Sequence, residues 1–264
     1  MSTENDKSGI DVLAYNSAAW DQRGREGDMW TRAVSSDVIA AARRGEWSIV
    51  LTPTKPTPRS WFPELKGCRV LALAGGGGQQ APVLAAAGAV VTTLDASANQ
   101  LEQDRRVAER DGLSIALEHG DFADLSRFAD GSFDLIVNPA SNLFAPDVRP
   151  IWRECFRVLV SGGRLMAGFL NPVTYAVNPA RRSAEDLRLR YALPYADVTS
   201  RTSEQLERQM TKGRPLEWGH MLADQIGGQT DAGFRIIGFY EDTSPNDPLS
   251  AFIPNHLATL AEKP

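Results

Sequence analysis

A run of glycines and a following acidic residue mark the part of the chain best suited to hold a ligand. The apolar run Val70–Ala74 breaks into the consecutive glycines Gly75–Gly78, and an Ala-rich helical pattern follows. This order predicts a strand, a tight turn and a helix, in which glycine lets a ligand approach backbone amides with no Cβ in the way. Asp95 ends the next apolar run, seventeen residues beyond Gly78. A carboxylate there can accept hydrogen bonds from both hydroxyls of a ribose, so the sequence predicts an adenosine site.

Side chains that could act as a base are few, and they have no metal-ligand spacing. His220 precedes a predicted helix, where a structural role in the first turn is favoured over a role as general base. His119 is interpreted as a strand-end residue, and the sequence indicates no partner for His256. Tyr175 and Tyr195 are further candidates for a substrate pocket, with packing as the alternative. We therefore predict no metal site and leave the catalytic residue unassigned.

Composition excludes several classes of protein. The 264 residues carry a formal net charge of −5, which argues against bulk binding of nucleic acid or of an anionic membrane. No apolar run approaches the roughly 18 residues that a membrane span needs, and no signal-peptide pattern follows the polar start. Cys68 and Cys155 are the only cysteines, and we expect both to be reduced and buried. These features predict a cytoplasmic protein with no membrane or nucleic-acid partner, whose oligomeric state stays open.

Strand and helix patterns alternate from Cys68 onwards. Runs that are apolar almost throughout are typical of strands covered by helices on both faces, so the fold predicted is α/β, a doubly wound and mostly parallel sheet. The predicted strands are Arg69–Ala74, Val90–Asp95, Ser114–His119, Asp134–Asn138, Arg164–Leu170, Phe234–Tyr240 and a last one within Ser250–Leu260. The helices predicted between and after these strands are Gln79–Ala87, Asn99–Asp111, Asp147–Leu159 and Met221–Ala232.

The predicted sheet lies between two segments of different character. Residues 1–66 form an amino-terminal extension with helices predicted at Ile10–Gly24 and Asp37–Arg44, the second capped by Ser35 or Ser36, and a Pro-rich connector. Residues 67–264 form the ligand-binding domain. Within this domain, the segment 171–216 is longer than an ordinary loop between a strand and the next core helix, so we interpret it as a substrate-cap insertion after strand five. Arg181 and Arg182 in this insertion are interpreted as a solvated face.

Several motifs together resemble the class I S-adenosylmethionine (SAM)-dependent methyltransferases, of the type 11 or type 25 kind. They are the glycine loop, Asp95 after strand two, Gly120-Asp121 after strand three, Ser132–Ile136 before strand four and Ala232–Phe234 before a late strand. The resemblance covers residues 67–240. It implies a Rossmann-like sheet of seven strands, the last inserted antiparallel, with SAM as the cofactor.

The resemblance also implies roles for individual residues. Asp95 would hold the ribose diol, Asp121 would accept from the adenine amino group beside Phe122, and Asn138 would border the departing methyl group. The full predicted cofactor set is Ala74, Gly75, Gly76, Gly78, Asp95, Ala96, Gln100, Asp121, Phe122 and Asn138. The chain departs from the family's first motif at two positions, since Ala72 replaces the usual acidic residue and Ala74 the first glycine.

Two other functions remain open at this stage. The sequence Gly76-x-Gly78-x-x-Ala81 also satisfies a dinucleotide fingerprint, so an NAD(P)-dependent oxidoreductase is the competing enzyme class. A SAM-binding protein without transfer activity is the second alternative, because of Ala72 and Ala74. Asp121 and the Ala232–Phe234 motif favour a methyltransferase, and the acidic net charge and the insertion favour a small-molecule acceptor.

Overall fold

The computed structural model describes residues 9–177, 183–245 and 247–264. The strands are β1 Arg69–Leu73, β2 Val90–Asp95, β3 Ile115–His119, β4 Phe133–Asn138, β5 Leu159–Leu170, β6 Tyr195–Ala196, β7 Trp218–Gly219, β8 Arg235–Asp242 and β9 His256–Glu262. The helices are α1 Val12–Glu26, α2 Ser36–Arg43, α3 Gln80–Ala86, α4 Ala98–Asp111, α5 Arg149–Val158, α6 Val173–Ala176, α7 Asp197–Ser200, α8 Ser203–Thr211, α9 Leu222–Gln225 and α10 Gly227–Asp231. Arg181, Arg182 and most of the polar start lie outside the described residues.

One seven-stranded sheet organises the molecule and confirms the predicted fold class. Its strand order is β3-β2-β1-β4-β5-β9-β8. The strands β1 to β5 pair in parallel, whereas β9 lies antiparallel between β5 and β8. Parallel strands end at the same edge of the sheet, so the carboxyl ends of β1 to β5 and the amino end of β9 lie side by side. The small pair of β6 and β7 forms a separate two-stranded sheet.

Both faces of the central strands β1, β4 and β9 are buried, which explains why these strands have nearly continuous apolar sequences. Because side chains alternate across a strand, β1 sends Val70 and Ala72 into one core and Leu71 and Leu73 into the other. The first core includes side chains of α2, α3 and α4, and the second is filled largely by α5, whose Trp152 is fully buried. The result is a three-layer α/β domain.

Local sequence explains where the main helices begin and end. Ser97 caps α4 by accepting from the N–H of Gln100, and Gly112 ends the helix with a φ of 63°. Ser35 caps α2 by accepting from the N–H of Val38. Asp11 caps α1 by accepting from the N–H of Ala14. In the described residues, no helix is long and apolar enough to cross a membrane.

Two predicted elements near the carboxyl end were wrong in their boundaries. The predicted helix Met221–Ala232 is two short helices, α9 and α10, which meet at Ile226. Glycine weakens a helix interior, and Gly228 is needed for close packing, because a Cβ there would lie 2.8 Å from Trp152 Cδ1. The last strand, expected within Ser250–Leu260, is β9 and spans His256–Glu262. It begins late in the expected range, since Pro248–Ala251 forms a 3₁₀ turn and Pro254 has no N–H to donate to a ladder, and it ends two residues beyond that range.

Candidate active site

A cavity of about 490 Å³ opens at the edge of the sheet where the parallel strands end. Clefts at this edge are the usual ligand sites of open α/β sheets. One end of the cavity is lined by the glycine loop and by residues that follow β2 and β3. The other end is lined by residues that follow β4, by Leu170 at the end of β5, by His256 on β9, and by Glu217. The N-terminal helix α1 contributes Val12, Leu13, Asn16, Ser17, Trp20 and Arg23 to the wall.

The glycine loop turns sharply at Ala74, the one non-glycine residue with positive φ in the described chain, at 47°. The Ala74 N–H donates to the carbonyl of Leu94, and the Gly76 N–H donates to Asp95 Oδ2. Gly78 has a φ of 73° and packs under the N-terminal segment, where a Cβ would lie 2.8 Å from the Cβ of Ala33. The glycine run therefore serves two close approaches, one to the cavity and one to the segment before α2.

Asp95 is held rigidly at the cavity wall. Its Oδ2 accepts from the N–H of Gly76 at 3.0 Å and its Oδ1 accepts from the N–H of Ser97 at 2.9 Å. Burial raises the pKa of this carboxyl to about 6, against the lowering effect of those two hydrogen bonds. A carboxylate has about four acceptor positions, so each oxygen keeps a lone pair for a further donor. Two hydroxyls of a ribose would supply two such donors.

Asp104 supports the loop from behind and was not singled out in the sequence. This residue of α4 is fully buried and its Oδ1 accepts from the Gly78 N–H at 2.8 Å. Burial raises the pKa of Asp104 to about 8, so its carboxyl is largely protonated at neutral pH. An acidic residue on the buried face of an amphipathic helix was the signal that could have revealed it.

The residues after β3 form the next part of the wall. Asp121 Oδ1 accepts from the N–H of Ala123 at 2.9 Å, which closes an Asx turn, and Asp121 also lines the cavity. Phe122 is buried and lines the cavity beside it. An acceptor for an amine and an aromatic ring therefore lie together next to β3.

Two glutamine oxygens at the cavity are buried without a partner among the described residues. Gln80 donates from Nε2 to the carbonyl of Val50 at 2.7 Å, which fixes the amide and leaves Oε1 unpaired. Gln100 Oε1 is also unpaired, and both residues line the cavity. Buried acceptors without partners are costly, so these atoms indicate a ligand that brings hydrogen-bond donors.

Helix α1 closes the cavity opposite the sheet and is fastened at both sides. Asn16 exchanges two hydrogen bonds with the backbone of Leu216, at 2.7 and 3.0 Å. Ser17 Oγ donates to the carbonyl of Ala96 at 2.6 Å. Asp21 Oδ1 accepts from the hydroxyl of Ser97, two residues after Asp95, at 2.6 Å. Trp20 meets Phe144 edge to face, with ring centroids 5.3 Å apart. The helix therefore covers the middle of the cavity.

The structure brings most of the sequence-predicted cofactor residues to one cavity. Ala74, Gly75, Gly76, Asp95, Ala96, Gln100, Asp121 and Phe122 all line it. Gly78 does not, because its N–H and carbonyl are taken by Asp104 and Val34. Asn138 is fully buried behind the wall, where its amide donates to the carbonyl of Leu73 and to Ser141 Oγ.

The three residues weighed as catalysts lie outside the cavity wall. His220 is buried, with Nε2 2.9 Å from the carbonyl of Ala145, so that nitrogen donates to the backbone. Tyr175 and Tyr195 stack on each other with centroids 5.1 Å apart. Their hydroxyls donate to Glu217 and Asp197. Packing and hydrogen bonding within the protein occupy all three side chains.

Glu217 and His256 line the cavity and were missed as site residues. Burial and the charge of Asp197 raise the pKa of Glu217 to about 7, and its Oε2 accepts from the Tyr175 hydroxyl at 3.1 Å. Burial lowers the pKa of His256 below its ordinary value. Each is a lone ionisable residue within an apolar stretch, Leu216–Trp218 and Ile253–Leu260, and that isolation was the signal available.

Comparisons with known proteins identify the family of the chain. Residues 71–167 match a family model described as a methyltransferase domain. The chain is 46% identical over 252 residues to an uncharacterized methyltransferase, YbaJ, of Bacillus subtilis, which covers 96% of this chain and 98% of that protein.

Solved structures share the fold. A SAM-dependent methyltransferase from Mesorhizobium loti superposes with a TM-score of 0.60 at 21% identity, over 77% of this chain and 94% of that one. A putative SAM-dependent methyltransferase from Listeria monocytogenes gives 0.60 at 18% identity, over 85% and 99%. Through its sequence relative, which it matches over nearly its whole length, the chain belongs to the methyltransferases.

Proposed function

We propose that this methyltransferase acts on a small-molecule acceptor enclosed between the sheet edge and α1. The observation that carries the proposal is the shape of the site. A single cavity runs from Asp95 and Asp121 at one end to Leu170, Glu217 and His256 at the other. Its volume of about 490 Å³ is in the range of small-molecule sites, roughly 300–1,000 Å³. A helix fastened across the cavity favours a compact acceptor over a polymer.

The residues at the first end fit SAM. The two free lone pairs of Asp95 match the ribose diol, and Asp121 with Phe122 matches an adenine ring and its amino group. The unpaired Gln80 and Gln100 oxygens match a ligand rich in donors, including an ammonium group. When bound, SAM supplies a methyl group made electrophilic by its positive sulfur. The chain's own task is to bind and orient both molecules and to exclude water.

The departures from the family motif are compatible with this assignment. Ala74 adopts the positive φ that the first glycine would supply, so the turn is kept. Ala72 is buried in the core and offers no hydrogen bond. We propose that Gln80 Oε1 takes over part of the role of the missing carboxylate, because it is an acceptor fixed at the cavity wall.

We also retain the predicted organisation as part of this proposal. Residues 1–66 are the extension that supplies α1, and residues 171–216 are the substrate cap within the domain 67–264. Pro215 of the cap and Glu217, one residue beyond the cap, line the cavity. The Asn16 side chain joins α1 to Leu216, which supports a cover of the cavity formed by α1 and the end of the cap together. Cys68 and Cys155 are both buried free thiols, which supports a cytoplasmic setting.

Transfer of labelled methyl groups tests the acceptor class. The full chain is incubated with methyl-labelled SAM and a cell extract separated into metabolite, protein and RNA fractions. We expect label in the metabolite fraction, and none with an Asp95→Ala variant at low SAM concentration. Label confined to protein or RNA would contradict the small-molecule proposal. Glu102→Gln is the matched control, because Glu102 lies on α4 and its ion-pair partners among the described residues are two exposed arginines of the same helix.

A further inference from the structure

The strand order places His256 at the end of the cavity far from Asp95 and Asp121, which we call the acceptor end. It begins β9, where it lies opposite Leu170 of β5 and Asp242 of β8. Neighbouring strands are about 4.8 Å apart, so β9 lies about 10 Å from β4 and about 14 Å from β1 along the sheet edge. His256 lines the cavity. It therefore lies on the side away from Asp95 and Asp121, where a second substrate would bind.

The neighbouring side chain fixes which nitrogen of this imidazole carries the proton. Asn255 is buried; its Nδ2 donates to Asp247 Oδ2 at 2.7 Å, and its Oδ1 accepts from the Ser244 N–H at 2.9 Å. If the Asn255 amide were flipped, its oxygen would face the Asp247 carboxylate and its NH₂ would face the Ser244 N–H, and neither pair can form a hydrogen bond. Oδ1 therefore faces His256 Nδ1, 3.1 Å away. Because that oxygen can only accept, Nδ1 must be the donor.

The second nitrogen of His256 is then an acceptor without a partner. In the described residues no hydrogen bond reaches Nε2, and the atom is not sealed from solvent. The other two histidines differ, since Nε2 of His119 and of His220 each contacts a backbone carbonyl. Burial lowers the pKa of His256, whereas the charges of Asp242 and Asp247 act in the opposite direction. The ring is therefore mainly neutral at pH 7.

We propose that His256 is the general base of methyl transfer, oriented by the Asn255–Asp247 pair, and that the acceptor is a small molecule with a hydroxyl group. This inference rests on the proposed function. The acceptor O–H bond breaks and its proton goes to Nε2. An oxygen–carbon bond forms to the methyl group, and the carbon–sulfur bond breaks with its electron pair left on sulfur. The products are a methyl ether, S-adenosylhomocysteine and a protonated imidazole, which returns its proton to water.

Glu217 is the other ionisable carboxyl at this end of the cavity, and its contacts suit it less for the same task. Its Oε2 already accepts from Tyr175, and a pKa of about 7 leaves close to half of the carboxyl protonated at neutral pH. His256 has an open lone pair and a fixed tautomer. A role as base for His256 and a role as base for Glu217 therefore predict different effects of substitution, which variants at the two positions can separate.

Nuclear magnetic resonance of the full chain labelled with ¹⁵N-histidine tests the tautomer directly. Only three histidines are present, so His119→Gln and His256→Gln assign the signals. We expect His256 to carry its proton on Nδ1 and to titrate below pH 6.5, with and without S-adenosylhomocysteine. Asn255→Ala should produce a mixture of tautomers. A proton on Nε2, or a charged ring at pH 7, would overturn the proposal without any need for an acceptor.

Transfer of label to the metabolite fraction gives the kinetic test. The wild-type rate should rise with pH through the His256 titration and then level off. His256→Gln should lower the plateau about 100-fold or more and abolish that rise, while binding of S-adenosylhomocysteine is unchanged. Glu217→Gln should keep the rise, and Asn255→Ala should lower kcat more than it changes KM. Asp124→Asn, at an exposed turn, is the matched control.

The outcomes separate the two proposals. A wild-type rate and pH profile in His256→Gln would refute the base while leaving the methyltransferase assignment intact. Loss of the pH rise in Glu217→Gln alone would transfer the role to that carboxyl and also refute the inference. Absence of small-molecule label from the wild-type protein would instead contradict the proposed function.

Discussion

Asp95 offers the sharpest test of the cofactor end, because its two oxygens are fixed by separate backbone donors. A hydrogen bond to a charged group contributes about 1.5–3 kcal/mol, so Asp95→Ala should weaken S-adenosylhomocysteine binding about 10- to 150-fold. Asp95→Asn should lose nearly as much. One half of the amide would accept as before, but its NH₂ would face the N–H of either Gly76 or Ser97. Isothermal titration calorimetry measures both changes, with Glu102→Gln as the control.

The pKa of Asp95 adds a pH dependence with a definite sign. Since burial raises that pKa to about 6, the carboxylate form that accepts from the ribose is lost as the pH falls through 6. Binding should be nearly constant above pH 7 and about tenfold weaker at pH 5, where roughly a tenth of the carboxyl remains ionised. Asp95→Ala should show no such loss.

A double-mutant cycle with the ligand isolates the ribose contact. S-Adenosylhomocysteine and its 2′-deoxy analogue are each titrated into wild-type protein and Asp95→Ala. Removing the 2′-hydroxyl should weaken binding to the wild type several-fold but leave binding to the variant almost unchanged, because the partner is already gone. Equal losses in both proteins, or an Asp95→Ala affinity within twofold of wild type, would refute the assignment.

Three further changes probe the cover and the loop. Asn16→Ala leaves the Leu216 N–H and carbonyl without their side-chain partner, so it should lower the unfolding free energy by about 1–3 kcal/mol and weaken cofactor binding. An unchanged unfolding free energy in chemical denaturation, together with an unchanged affinity in calorimetry, would contradict this. Asp104→Asn should flatten the pH dependence of stability. With a pKa of about 8 for Asp104 in the folded state, the wild type loses unfolding free energy as the pH rises from about 4 to 8. The variant should therefore be more stable than the wild type by over 1 kcal/mol at pH 8. Denaturation at pH 5 and pH 8 measures it, and parallel slopes would count against it. Ala74→Gly relieves a left-handed alanine, so thermal unfolding should show a change between zero and about 1 kcal/mol of stabilisation; a clear loss would disprove the strain.

The elements that repeat a simple pattern were predictable, and those defined by distant packing were not. Strands β1, β2 and β4 follow from short apolar runs, with boundaries within one residue of those predicted. The helix expected at Met221–Ala232 is interrupted at Ile226, and Gly228 at the start of α10 packs closely against Trp152 of α5, a contact that helical periodicity does not indicate. The glycine loop and Asp95 were found because both lie next to strands in the chain. Glu217 and His256 were not found, because a lone ionisable residue in a mainly apolar stretch does not by itself indicate a cavity.

The sequence by itself determined the fold class, the adenosine end of the site and the resemblance to methyltransferases. Those features depend on side-chain periodicity and on glycines and acids placed directly after strands, all of which are local. Tertiary structure decided what closes the cavity and what lies at its far end. The contact of Asn16 with Leu216 joins positions 200 residues apart, and His256 reaches the site only because β9 inserts beside β5. Local sequence does not specify such contacts, since they form only when the sheet and its helices pack together.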